Sequence, residues 1–403
     1  MTSVESDLAP QAPDGPTPPG LSPGPNPPRP PTLLRARWKG GTADAVVLRT
    51  LAVWALTLYA LTMAGRIVSG DGEAMFQTTM SLIRRGGLAI DARPETAPGR
   101  DGRAYSKYGL GQSVVQAPFV VTGLAYGSLI GNPSEGDRAA RFLVGMTNGI
   151  VTTATVVVLW LIARDAGVGH GAATLVAVLA ATTTLLAPYA RADFAEPTQT
   201  LALLIAAGAS LRASRVNTTA PPAGPAGPAG ANETERRARM PADHSDPWRN
   251  PLVRWAAVSG VGVAVAFLTK AASLILAPAV TLPLVVVAAR RAWPPLRDVR
   301  VIAAMRAVGP IAIAAGIPVA AAGAFQATLN WYRFGNPFEF GYGDEPATGF
   351  ITPVLDGVGY LLFASGKGLA WFAPPAMVGV IGLAWLTQDR KSTRLNSSHG
   401  YIS

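Results

Sequence analysis

Long apolar runs alternate with short polar segments along nearly the whole chain. The runs at 45–68, 141–163, 169–188, 196–212, 252–269, 272–289, 301–326 and 368–386 each approach the roughly 20 apolar residues that a helix needs to cross a bilayer. This pattern predicts an all-α, multi-span transmembrane protein with about eight spans, because a helix satisfies its own backbone polar groups in hydrocarbon. A further stretch, 109–131, is only moderately apolar and contains Gly109, Gly111, Pro118, Gly123 and Gly127. It reads either as another span or as a helix lying at the interface within one large loop, 69–140.

Charge decides between these two. Arg35, Arg37, Lys39 and Arg49 flank the first span and place the N-terminus in the cytoplasm by the positive-inside rule. With 109–131 interfacial, Arg164, Arg212, Arg215 and the basic linker 213–251 (Arg236, Arg237, Arg239) all face the cytoplasm, as do Arg290, Arg291 and Arg297. The loops 69–140, 189–197 and 327–360, and Lys270 at the tip of a helical hairpin, then lie on the external face. If 109–131 spans instead, the basic linker moves outside. The interfacial reading is therefore preferred, and it places the chain in the cytoplasmic membrane as a multi-pass protein.

After Ser69-Gly70-Asp71-Gly72-Glu73, apolar residues recur at Met75, Phe76, Met80, Leu82 and Ile83, ahead of Arg84 and Arg85. Spacings of three and four predict a short amphipathic helix, with Asp71 as its N-cap and Glu73 in its first turn.

Composition agrees: 49% of residues are hydrophobic and only 14% charged, too apolar for a soluble domain of 403 residues. The net charge of +10 would point to nucleic acid in a soluble protein. Here the basic residues lie between spans, so anionic lipid is the better partner and nucleic acid is not expected. With no cysteine, disulfides, thiolate catalysis and cysteine metal sites are excluded. The proline-dense segment 1–40 reads as a disordered cytoplasmic tail, and the Pro-Ala-Gly repeats in 213–251 as a flexible linker. Residues 41–388 form the membrane module. The run Asp389–His399 resembles the translation of a sequencing-library adapter, so 389–403 is read as non-native and the native chain as cut near Gln388, with C-terminal spans missing.

Five polar constellations stand at span ends. Asp71 and Glu73 read as capping acids or as a catalytic pair that the neighbouring glycines leave open to a ligand. Lys107, in Tyr105-Ser106-Lys107-Tyr108-Gly109, reads as a snorkelling anchor or a phosphate ligand. In Tyr189–Pro197, Arg191 and Glu196 could pair across one external cavity or belong to ordinary helix capping. The loop Asn330–Gly343, with Trp331, Tyr332, Glu339 and Tyr342, is either an aromatic belt or a carbohydrate-stacking surface. Lys367, in Ser365-Gly366-Lys367-Gly368, is a snorkelling lysine or a lipid-phosphate ligand, and the P-loop spacing is absent.

In order and spacing, these five segments together resemble bacterial membrane glycosyltransferases of the GT-C superfamily, over roughly 45–388. The nearest are protein O-mannosyltransferase-like and aminoarabinose-transferase-like enzymes, which use polyprenyl-phosphate sugars. The resemblance implies a GT-C-like fold whose large first external loop carries interfacial helices. It also implies sugar transfer from a polyprenyl-phosphate carrier to a hydroxyl of a glycan, lipid or protein. By position, Asp71 would be the catalytic acid with Glu73 beside it, and Lys107, Arg191 and Lys367 would hold the donor phosphate. Tyr105, Glu196, Trp331, Tyr332, Glu339 and Tyr342 would line the acceptor or sugar site. Many relatives have adjacent acids, whereas Gly72 separates them here. An acid-x-acid pair also resembles the metal loop of oligosaccharyltransferases, so a divalent cation, Mg²⁺ or Mn²⁺, at Asp71 and Glu73 is left open. The competing class is a lipid-linked-sugar flippase or transporter, which intramembrane charges and interrupted spans also fit.

Overall fold

The computed structural model describes residues 41–219, 247–343, 351–366, 368–383 and 385. The proposed tail 1–40, most of the linker 213–251, Lys367 and the segment 389–403 lie outside the described residues. The first half of the chain forms α1 (Thr42–Thr62), α2 (Gly70–Arg85), β1 (Ala89–Ile90), β2 (Thr96–Pro98), β3 (Ala104–Ser106), α3 (Leu110–Leu129) and α4 (Pro133–Asp165). There follow α5 (His170–Thr183), α6 (Leu186–Ala190), α7 (Glu196–Thr219), α8 (Pro251–Thr269), α9 (Ala277–Arg297), α10 (Val301–Phe334), α11 (Val354–Phe363) and α12 (Leu369–Phe372). A last short apolar helix is α13 (Pro374–Leu383).

Helix dominates, as the hydropathy pattern predicts, and the protein is membrane-embedded in character. Five helices among the described residues are long and apolar enough to cross a membrane: α1, α4, α8, α9 with its preceding 3-10 turn, and α10. The other three expected spans look different. The segment 169–188 breaks at Thr184, leaving α5 with 14 residues, about 21 Å of helix against a hydrocarbon core of about 30 Å. Helix α7 has 24 residues but begins on Glu196 and carries Arg212 and Arg215 in its second half. The segment 368–386 divides into α12 and α13 at Ala373, which leaves helical backbone (φ −146°, ψ 54°) just before Pro374, whose ring disfavours it there.

The moderately apolar stretch becomes α3, which is not among the five. It folds back on the first half of α4, and its glycines explain how closely. A Cβ on Gly123 would collide with the backbone of Ala140, and one on Gly127 with Gly136. The amphipathic helix α2 covers the outer side of this hairpin, burying Phe76 against Val120, Ala140 and Val144. Its cap corrects the expectation from sequence. Ser69 Oγ accepts the Gly72 N–H at 2.9 Å, so Ser69 is the N-cap and Asp71 lies inside the first turn. Serine caps as well as aspartate does, so Asp71 is released from that duty. A small antiparallel sheet, ordered β1-β3-β2, closes the loop between α2 and α3 with Ala89 and Ala97 opposite Tyr105, and was not foreseen.

The bundle has two polar ends. At one, Arg164 at the end of α4 reaches Asp44 at the start of α1 (3.6 Å), and Arg212 of α7 bonds Asp165 (2.5 Å) and lies 4.9 Å over Trp255 of α8. At the other, Val68 after α1, the 191–196 loop, Lys270 after α8, residues 99–111 and the end of α10 meet. Chain parity follows: α1 leaves the first end and α4 returns to it, so α2, the sheet and α3 all belong to the second.

Candidate functional site

Four of the five sequence constellations converge at that second end. Arg333, the last basic residue of α10, is buried and donates from Nη1 to the carbonyls of Ser106 (2.8 Å) and Tyr108 (3.3 Å), and from Nη2 to Asn330 Oδ1 (3.0 Å). The Arg333 carbonyl in turn accepts the Arg100 N–H at 2.9 Å. The 330–343 loop is thereby fastened to the 99–108 segment. Gly335 ends α10 in the left-handed region (φ 78°), turning the chain back over this junction. On the facing side, Gly109 and Gly111 pack directly on the backbone of Leu268 and Thr269, at the end of α8.

The loop carrying Arg191 and Glu196 is held by a buried amide relay. Thr198 donates to Gln112 Oε1 (2.6 Å), Gln112 Nε2 donates to Asn148 Oδ1 (3.0 Å), and Asn148 Nδ2 donates to the carbonyls of Ala192 (2.5 Å) and Phe194 (2.8 Å). Every polar atom of that relay has a partner, so its burial is compensated.

Asp71 stands at the centre. Burial pushes the Tyr108 phenol above its ordinary 10.0, and the neighbouring Asp71, Tyr342 and Glu95 act in the same direction. Tyr108 therefore stays protonated, and its hydroxyl can donate toward Asp71. The Glu95 side chain lies against Gly70, and Asp193 lies against Gly72. Asp193 is only 4% exposed and accepts the Val68 N–H at 2.8 Å. Burial raises its carboxyl above the ordinary 3.8, with the charge of Glu73 acting in the same direction.

Glu73 has a different environment. Its two oxygens take Arg141 of α4 at 2.5 and 2.9 Å, and Gln77 donates to it at 3.0 Å. Burial works against its charge, but Arg141 and Gln77 outweigh that and hold the carboxyl below its ordinary 4.5. Both Glu73 oxygens are engaged by Arg141. No group of three or more His, Asp or Glu side chains among the described residues is placed to hold a metal ion.

Lys107 lies 5.9 Å from the centroid of the Tyr342 ring. Glu196 does not pair with Arg191. It takes Lys270 Nζ at 2.7 Å, because the turn after α8 delivers that lysine to the first turn of α7. Arg191 is exposed and folds back to the Ala187 carbonyl at 3.3 Å. Burial disfavours the Lys270 ammonium, but Glu196, with Tyr342 and Tyr189 beside it, holds it above its ordinary 10.5. Lys107 and Lys270 thus sit on adjoining segments, since Gly109 and Gly111 pack on Leu268 and Thr269.

The aromatic residues divide by exposure. Tyr105 is buried in the core, its hydroxyl on Asp101 Oδ2 (2.8 Å) and its ring edge-on to Tyr332 and Phe334 at 6.2 and 6.3 Å. It packs the loop and presents no free surface to a sugar. Trp331 is half exposed, with the Arg100 guanidinium 4.4 Å over its ring. Tyr332 and Tyr342 are also open to solvent. Glu339 turns back on its own loop, accepting the Gly341 N–H at 2.6 Å.

Tyr108, Asp193 and Arg333 lie inside the segments singled out from the sequence but were given no role there, Glu95 lies outside them, and Lys270 was noted only as a hairpin tip. The signal for Lys270 was present, a lone charge between two apolar helices. No family model, no curated protein and no solved structure matches this chain.

Proposed function

We propose that this protein is a membrane glycosyltransferase that moves a sugar from a polyprenyl-phosphate carrier to an acceptor hydroxyl on the external face of the cytoplasmic membrane. One observation carries the reading: Asp71, freed from capping and close to Tyr108, shares one end of an apolar helix bundle with Lys107 and Lys270, which sit on adjoining segments. A carboxylate beside fixed positive charge suits transfer from a lipid phosphate. Asp71 takes the proton of the acceptor hydroxyl as its oxygen bonds to the anomeric carbon. The bond from that carbon to the phosphate oxygen breaks, and the polyprenyl phosphate leaves as an anion held by Lys107. Tyr108 keeps the Asp71 carboxylate oriented, and the exposed rings of Trp331, Tyr332 and Tyr342 offer faces for the sugar. Glu73 serves the fold through Arg141, leaving Asp71 as the single catalytic acid.

The test is transfer from labelled polyprenyl-phosphate sugars by the purified protein in bilayer nanodiscs. Asp71→Asn is expected to lower turnover by at least about 100-fold, the scale of a lost general base, with unchanged folding. Full activity in that variant refutes the assignment. Movement of the lipid across the bilayer without transfer supports a flippase.

A further inference from the structure

Lys107 and Lys270 come from separate elements, the loop after β3 and the turn after α8, which adjoin: Gly109 and Gly111 pack on the backbone of Leu268 and Thr269, and Lys107 lies 5.9 Å from the Tyr342 ring. Lys270 is half-buried in a 2.7 Å pair with Glu196 in the first turn of α7. The pair is not sealed: the lysine and glutamate side chains retain 48% and 31% exposure. A cation held by one carboxylate at the mouth of a site is satisfied without ligand. It can also turn to a stronger anion when one arrives, because a phosphate offers more acceptor oxygens and more charge than a carboxylate. Glu196 has a second partner of its own in place, since it lies at the N-terminus of the 24-residue helix α7, where the helix dipole favours negative charge.

We propose that Lys270 is a second ligand for the phosphate of a lipid-linked substrate, and that Glu196 is its resident counter-ion, displaced when the phosphate binds. This rests on the transferase reading for the identity of the anion, and it changes the expected role of Glu196 from contacting sugar or acceptor to regulating affinity. In the resting state the pair keeps Lys270 extended toward the site at low cost. In the bound state the phosphate bridges Lys107 and Lys270 over Tyr342, and Glu196 turns to water at the head of α7.

A purely structural ion pair and a counter-ion exchange make opposite predictions. If the pair only braces α7 against α8, Glu196→Gln and Lys270→Gln weaken the protein alike and neither strengthens ligand binding. If Lys270 is the ligand, Glu196→Gln releases it and tightens binding of polyprenyl phosphate by about threefold, whereas Lys270→Gln weakens binding by about tenfold. Binding is measured on nanodisc-embedded protein by titration with polyprenyl phosphate, with phosphatidic acid and inorganic phosphate as separate arms. Preference for polyprenyl phosphate is expected. Equal binding of phosphatidic acid or of inorganic phosphate would overturn the lipid-linked identity of the ligand. Glu196→Gln alone decides the exchange if Lys270→Gln does not fold, since unchanged or weaker binding in it overturns the proposal.

The two readings fail separately. If the native chain transfers sugar but Glu196→Gln does not tighten binding, the exchange is wrong and the transferase stands. If the native chain neither binds the lipid nor transfers sugar, both fall.

Discussion

At the scale of single residues, Asp71 and Glu73 show how one acidic motif divides its labour. They are two positions apart on α2, so they point about 200° apart around the helix, and only one can face α4. Glu73 faces it and is claimed by Arg141. Asp71 faces the loop and meets Tyr108. The difference has a pH signature. Glu73 titrates below its ordinary 4.5 in the folded protein, so its stabilisation is fully present above that pH and is lost as pH falls through the lowered native value. Asp193, raised above 3.8, acts with the opposite sign: it binds a proton more readily when folded, so it costs stability as pH rises through its native value. Thermal melts between roughly pH 7 and pH 2 should therefore show a flatter acid limb in Glu73→Gln, below about pH 4.5, and a steeper one in Asp193→Asn. Identical limbs in all three proteins would show that neither group carries the linkage.

At the scale of elements, the junction between α10 and the loop before α3 depends on one buried guanidinium. Arg333 serves three acceptors on two segments more than 200 residues apart in sequence. Its planar fork can reach them together, whereas an ammonium on a lysine stem cannot span the same set. Replacing Arg333 by Met should cost about 3 kcal/mol, since two buried carbonyls and an amide oxygen lose their donor. Arg333→Lys should recover only part of that in a thermal melt. Arg333→Met should also lower transfer, because the Tyr108 carbonyl is one of the three acceptors and Tyr108 lies beside Asp71. A melt unchanged by Arg333→Met would remove this junction from the account.

At the scale of the whole molecule, the arrangement makes a topological prediction that the chain is well suited to test, since it contains no cysteine. Arg100, Arg191 and Trp331 are exposed at the end that carries Asp71, while Arg254, Arg297 and Arg300 are exposed at the other. Single cysteines at the first three should react with a membrane-impermeant maleimide from one side of sealed vesicles, and cysteines at the last three from the opposite side. Labelling of both groups from one side would break the two-ended bundle. Much of this architecture was legible in the chain itself. Hydropathy runs located the long helices because burying backbone in hydrocarbon demands them, and the spacing from Met75 to Ile83 marked α2 because its apolar face must meet other helices. The positions of charge separated the basic end from the end holding the constellations. What only the tertiary structure decided is partnership. Glu196 meets Lys270, Glu73 meets Arg141, and Arg333 meets Ser106 and Tyr108, each joining segments whose separation in sequence says nothing about their distance in space. Local pattern reports which face of a helix must be buried; which charge waits on the neighbouring element depends on how the helices cross.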